Sequence, residues 1–124
     1  MSSKPRVLTD LELEIMKIVW RLEKATVRDV YEELNKRRKI AYTTVMTMMR
    51  ILEQKKHVKK SQRDRAYVYQ PSRPKKEVLR KMVQEFVNRV FNGSAEPLLV
   101  QLVEDSHVSE QTLKEVMRTL EKKS

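Results

Sequence analysis

Thr43, Met46, Thr47 and Arg50 recur three or four residues apart, with Tyr42 and Thr44 beside them. At about 3.6 residues per turn that spacing puts the four on one face of a helix. A solubilising helix face is normally Glu and Lys, whereas this one offers hydroxyls, methyls and a guanidinium. Such groups suit the edges of DNA bases: Arg donates to guanine O6 and N7, and Thr meets a polar edge or a thymine methyl. The chemistry is recognition, and the candidate base-reading residues are Tyr42, Thr43, Thr44, Met46, Thr47 and Arg50. The plainer alternative is a face of indifferent threonines with Met46 partly in the core, since Thr has only modest helix propensity.

The stretch that carries this face, Ile40 to Val58, has a second one. Val45, Met48, Met49 and Leu52 follow the spacing i, i+3, i+4, i+7 and predict docking on a core. The charge around it is focused. Lys and Arg number 27 against 17 Asp and Glu, a net charge of +10. Residues 1–73 hold 18 basic and 9 acidic residues, and residues 74–124 hold 9 and 8. Lys36 to Arg65 alone contains 11 basic residues against Glu53 and Asp64. A positive field so concentrated attracts polyanions, and nucleic acid is the common polyanion that needs a shaped basic face. The phosphate-binding candidates are Arg37, Arg38, Lys39, Lys55, Lys60, Arg63 and Arg65. The Lys36-Arg37-Arg38-Lys39 run equally suits a helix C-terminus, where cations complement the macrodipole.

The elements that must position these residues follow from caps and periodicity. Thr9-Asp10-Leu11-Glu12 predicts a capping box opening a first helix to Arg21 or Leu22, with Leu11, Ile15, Ile18, Val19 and Leu22 as its stripe and Trp20 at the edge. Thr26, with Asp29 as a weaker partner, opens a second, with Val27, Val30, Tyr31 and Leu34 inward. Two helices joined by a short link, the second with a distinctive outer face, read as a helix-turn-helix. Val58 to Ser61 and Ala66 to Gln70 have strand character, and Gln62-Arg63-Asp64-Arg65 between them predicts a hairpin tip. A hairpin carrying Arg63 and Arg65 there makes a winged helix; the alternative is exposed arginines without a partner. Tyr67 and Tyr69 share a strand face and are expected to pack.

Pro71 and Pro74 bracket a linker. Beyond it, Val78, Leu79, Met82, Val83, Phe86, Val87, Val90 and Phe91 predict a helix closed by Asn92-Gly93. Ser94 is the expected cap of a short helix with Pro97 in its first turn, and Ser109 that of a last helix over Glu110 to Lys122. About fifty residues in three helices lie near the lower limit for burying a core unaided. Their apolar faces predict closure on a second copy through Phe86, Val90, Phe91, Leu98, Leu99, Leu102, Val103, Leu113, Val116, Met117 and Leu120. The alternative is that they fold back on the winged helix of the same chain. The fold class is therefore mainly α: an N-terminal winged helix-turn-helix of three helices plus a β-hairpin wing over 1–73, then a three-helix dimerisation region over 74–124.

Other classes fit poorly. There is no cysteine, which excludes disulfides and thiolate metal sites, and no metal or cofactor is expected. No apolar run approaches the length of about 20 residues that a bilayer demands, and MSSKPRVLTD lacks the apolar segment of a signal peptide, so a cytoplasmic location is expected. A single glycine argues against a Gly-rich phosphate loop. Catalysis would need a nucleophile with a base, a carboxylate pair or metal ligands. Only His57 and His107 are available as histidines, one at a helix end and one in a loop, so no enzyme is expected.

LTDLELEIMKIVW, AYTTVMTMMRILEQKK and RDRAYVYQP, followed by FVNRVFNGSAEPLLVQLVEDSHVSEQTLKEVMRTLE, together resemble the penicillinase-repressor family of bacterial regulators, the BlaI/MecI type. The resemblance covers almost the whole chain. It implies a homodimeric transcriptional repressor on a palindromic operator, its bases read by the helix of Thr43, Thr44, Thr47 and Arg50. A sequence-indifferent nucleic-acid-binding or architectural protein is the alternative. In the beta-lactamase-controlling members a membrane-bound sensor protease triggers cleavage between an Asn and a Phe; the matching positions here are Gln101 and Leu102. A copper-responsive branch binds metal through C-terminal cysteines, which this chain lacks. Lys56 stands where the family often has a glycine ending the recognition helix, which implies an altered turn into the wing.

Overall fold

The computed structural model describes residues 7–123. Helices α1 (Asp10–Leu22), α2 (Val27–Asn35) and α3 (Tyr42–Gln54) precede strands β1 (Val58–Arg63) and β2 (Ala66–Pro71); helices α4 (Lys75–Phe91), α5 (Glu96–Glu104) and α6 (Glu110–Lys123) follow. Both predicted boxes form. The Thr9 hydroxyl accepts the Glu12 N–H at 3.3 Å while the Glu12 carboxylate accepts the Thr9 N–H at 2.8 Å. The Thr26–Asp29 pair is as complete, at 3.1 and 3.0 Å. Each box satisfies two of the N–H groups that a helix start leaves open.

α1, α2 and α3 pack against one another, and the hairpin folds back on α1 and α3. Ile15, Met16, Val19, Val30, Leu34, Val45, Met49 and Leu52 are wholly enclosed between them. Met48, expected inside, is only half-buried. Ala25 adds a one-residue third strand: its N–H donates to the Tyr69 carbonyl at 3.0 Å and its carbonyl accepts from Tyr69 at 2.8 Å. That bridge fixes the wing base to the α1–α2 link.

β1 and β2 pair antiparallel from Val58↔Pro71 to Arg63↔Ala66. The ladder therefore runs through Gln62 and Arg63, leaving Asp64 and Arg65 alone as the turn. Asp64 takes φ 56° there, a left-handed conformation that Asp tolerates better than most residues. The alternation separates two faces. Val58, Lys60, Tyr67 and Tyr69 share one, and Lys59, Arg63, Ala66 and Val68 the other.

The described residues divide into two compact units between Met82 and Val83, inside α4 rather than at the proline-bracketed linker. The linker is not free: the Trp20 indole N–H donates to the Arg73 carbonyl at 3.1 Å, and the Ser72 N–H to the His57 carbonyl at 2.9 Å. Val78 is buried in the winged-helix core and Met82 packs against it, so the first two turns of α4 belong there. In the second unit, α4 ends at Asn92 (φ 53°) and Gly93 (φ 89°), with the Gly93 N–H on the Val87 carbonyl. α5 is capped by Ala95, not Ser94, without a side-chain bond, and Pro97 sits in its first turn. Ser109 does cap α6, accepting the Thr112 N–H at 3.0 Å.

Candidate nucleic-acid interface

The two faces of α3 separate as their residue types require. Val45, Met49 and Leu52 are enclosed, while Tyr42, Thr43, Thr44, Met46, Thr47 and Arg50 are all exposed. Among the described residues, nothing uses most of that outer face. The hydroxyls of Thr43 and Thr44 have no hydrogen-bond partner and Arg50 has no ion pair among the described residues, so all three are free to meet a ligand. Thr47 donates its hydroxyl to the Thr43 carbonyl at 3.0 Å, which leaves it an acceptor with an outward methyl. Tyr42 is held edge-on against Tyr31 on α2, centroids 5.4 Å apart.

The start of α3 differs from those of α1 and α2. Its N-cap is Ala41, which offers no side-chain bond. The N–H groups of Tyr42 and Thr43 are thus left open at the positive end of the helix dipole, shortly after the exposed Lys39 in the chain; Arg37, also exposed, lines a separate hollow with Glu14, Lys17, Trp20 and Arg21 of α1. Backbone N–H groups so placed suit a phosphate.

Between α3 and the wing lies a hollow of about 560 Å³, lined by Tyr42, Met46, Arg50, Tyr67, Lys60 and Arg65 together with Arg28 of α2. Tyr69 is buried as expected, but Tyr67 is 52 % exposed and does not pack on the core. Its ring instead carries the Lys60 ammonium at 4.4 Å, which also lies 3.7 Å from Glu53. Lys60 is therefore held across the base of the wing. Arg63 and Arg65 are exposed on the tip and unpaired among the described residues, on opposite sides of the ribbon.

Two further phosphate candidates have partners within the chain. Arg38 reaches Glu14 at 2.8 Å. Lys55 is the other: its Nζ lies 2.9 Å from Glu12 Oε1, and Glu12 is only 2 % exposed. A buried carboxylate without a cation is so unfavourable that it claims the lysine. Burial pushes the Glu12 pKa up, but the Thr9 N–H and the Lys55 ammonium outweigh it and hold the carboxyl below the usual range. Sequence reasoning missed Arg28, Lys56 and Lys59, exposed cations of the same unit; Arg28 lies well outside the basic run that signalled the others.

The turn from α3 into β1 is that of a glycine-ended helix despite Lys56. Lys56 takes φ 65°, with its N–H on the Glu53 carbonyl and the His57 N–H on the Leu52 carbonyl, both at 2.9 Å. The wing enters as a glycine would direct it, at the cost of a left-handed lysine. His57 itself is 3 % exposed. No group of three or more His, Asp or Glu among the described residues could hold a metal ion, and no described helix is long and apolar enough to cross a membrane.

The uncapped helix start, the exposed outer face of α3 and the basic hairpin lie within a chain that the model of the penicillinase repressor matches over residues 8–122. The chain belongs to the penicillinase repressor family. It is 26 % identical over 114 residues to the penicillinase repressor of Bacillus licheniformis, covering 92 % of this chain and 89 % of that protein. It is 40 % identical over 99 residues to the transcriptional regulator BlaI of Mycobacterium tuberculosis, covering 78 % and 72 %. The methicillin resistance regulatory protein MecI of Staphylococcus aureus is 23 % identical over 123 residues, 99 % of this chain and all of that protein. Among solved structures, the DNA-binding domain of the repressor BlaI superposes with a TM-score of 0.52 at 29 % identity, over 60 % of this chain and 90 % of that one. The monomeric form of Bacillus licheniformis BlaI in complex with the blaP half-operator gives 0.51 at 28 % identity, over 62 % and 93 %.

Proposed function

We propose that this penicillinase-repressor family member is a transcriptional repressor that binds double-stranded DNA as a homodimer, on an inverted-repeat operator in the promoters of its target genes. The observation that carries the reading is the outer face of α3: exposed hydroxyls, Met46 and an Arg50 unpaired among the described residues, at a helix start with no side-chain cap. A helix of this length, about 20 Å at about 1.5 Å per residue, lies readily in a major groove about 12 Å wide. Thr43, Thr44, Thr47 and Arg50 then meet base edges, and Arg37, Lys39 and the open N–H groups meet one backbone strand. Arg63 and Arg65 carry the wing to another. Two-fold symmetry would set the second copy one helical turn or a multiple of it away.

The second copy is supported by the helical unit. α5 and α6 bury no residue in the single chain, and Phe86, Val90, Leu99, Val116, Met117 and Leu120 are exposed. Repression needs no reaction, because occupancy blocks the promoter; control acts on the pairing, whose loss removes the advantage of joint binding. The bond matching the relatives' cleavage position, Gln101–Leu102, lies inside α5, where the Gln101 amide donates to Asp105 at 2.7 Å. A sensor protease acting there must first unwind α5.

The test is an unbiased selection of bound sequences from random duplex DNA by the full chain at physiological salt. An enriched inverted repeat is the expected result. Retained binding without enrichment would instead support a sequence-indifferent architectural protein, whose salt dependence looks the same because it arises from counterion release.

A further inference from the structure

His57 occupies the corner where four segments of the winged unit meet. Its N–H donates to the Leu52 carbonyl at the end of α3, and its carbonyl accepts from Ser72 beyond β2, each at 2.9 Å. Its ring Nε2 lies 3.1 Å from the Val7 carbonyl of the segment before α1. A carbonyl only accepts, so Nε2 carries the proton and Nδ1 is left as a bare lone pair. That Nδ1 is buried and has no hydrogen-bond partner among the described residues. Among the described residues the charged groups around the ring are Glu12 on α1, Lys55 just after α3 and Arg73 after β2, two cations against one anion that Lys55 already occupies. A second proton at Nδ1 would find no acceptor there and an adverse net charge.

We propose that His57 is a positioning residue for DNA binding: its neutral ring locks the corner between α3 and the wing, and protonation at Nδ1 unlocks it, so that mild acid weakens the complex. The inference rests on the DNA-binding reading above and deepens it. Burial, with the nearby Arg73 and Lys55 cations, pushes the His57 pKa below its ordinary value against the pull of the Val7 carbonyl and of Glu12. The corner is therefore intact at neutral pH and opens as pH falls below the ordinary histidine range. The direction is diagnostic. A histidine that merely gained charge on a basic protein would tighten its hold on DNA in acid, because every added cation displaces counterions.

The experiment measures Kd for a duplex carrying the selected repeat, with random duplex alongside, from about pH 7 to about pH 5. His57→Gln is the informative variant, since its amide can still donate to Val7 but takes up no proton; His107→Gln controls for the other histidine. Each measured against its own affinity at neutral pH, the wild type and His107→Gln should lose about threefold or more across that range, and His57→Gln less than about twofold. Affinity that stays flat or rises in acid for the wild type would overturn the proposal. So would a fall that persists unchanged in His57→Gln. Hydrogen exchange of the free protein keeps the inference testable without DNA: the Ser72 and His57 amides should lose protection in acid relative to those of α1, in the wild type but not in His57→Gln. Equal protection in both would overturn it too, whereas failure to bind DNA at neutral pH would count against the functional reading instead.

Discussion

In the winged unit, Ile15, Met16, Val19, Val30, Val45, Met49 and Leu52 enclose one another completely. In the helical unit only Val87 is buried among the described residues, and apolar side chains as large as Leu120 stay 60 % exposed. Both units are built from amphipathic helices of similar length, so the difference lies in what each has to pack against. Three helices and a hairpin surround one core in the first. In the second the apolar faces of α4, α5 and α6 outnumber the surfaces that one copy supplies. The first unit closes its own core, while the second leaves most of its apolar faces uncovered within one chain.

Substitutions can break or sharpen that contrast, starting with the core. Leu52→Ala should lower the stability of the winged unit by about 2–5 kcal/mol in denaturant titration, by the same amount at any protein concentration. Leu113→Asp should behave otherwise: sedimentation should show a pair of chains for the wild type and a single chain for the variant, and affinity for a full inverted repeat should fall about 100-fold or more. A loss from Leu113→Asp that ignored protein concentration would erase the distinction between the units.

The polar node beneath the wing gives the next effect. Glu12→Gln keeps an acceptor for the Thr9 N–H but leaves Lys55 without its anion, and should cost about 1–3 kcal/mol at neutral pH. The folded pKa of Glu12 lies below its unfolded value, so the stabilisation is present above the unfolded value and is lost as pH falls through the folded one. The gap between wild type and Glu12→Gln in thermal unfolding should therefore close in acid, from about pH 4 downward. A constant gap would mean that packing, not charge, holds Glu12.

On the recognition face, Arg50→Ala should cost about 1–3 kcal/mol on the selected sequence and little on random duplex. Equal losses on both would remove Arg50 from base reading. The smallest effect is a gain: Lys56→Gly relieves a left-handed side chain and should raise stability by about 0.5–1 kcal/mol in the same titration. No gain would show that the longer unfolded-state freedom of glycine cancels the relief.

Much of this was legible in the residues because it is local. Thr9 with Glu12, and Thr26 with Asp29, announce helix starts within four residues, and the two faces of α3 follow from one period. What escaped depends on distant partners. Ala25 is a strand of one residue, visible only through Tyr69. Lys55 reads as a surface cation until Glu12, 43 residues earlier, is seen to be buried beside it. Tyr67 has the spacing of a packed residue, yet only Tyr69 lies close enough to the core to be covered. Prolines mark where a helix cannot continue, not which core the next helix joins, and Val78 packs into the first core.

The most direct test compares binding of the full chain to a duplex carrying the selected inverted repeat and to one carrying a single half-site, with stoichiometry measured throughout. Two chains should load onto the full repeat in one cooperative step, at a concentration about 100-fold below that needed for the half-site. Independent loading, with the same affinity for a half-site whether one or two are present, would contradict the pairing of the helical units and leave a monomeric winged-helix protein.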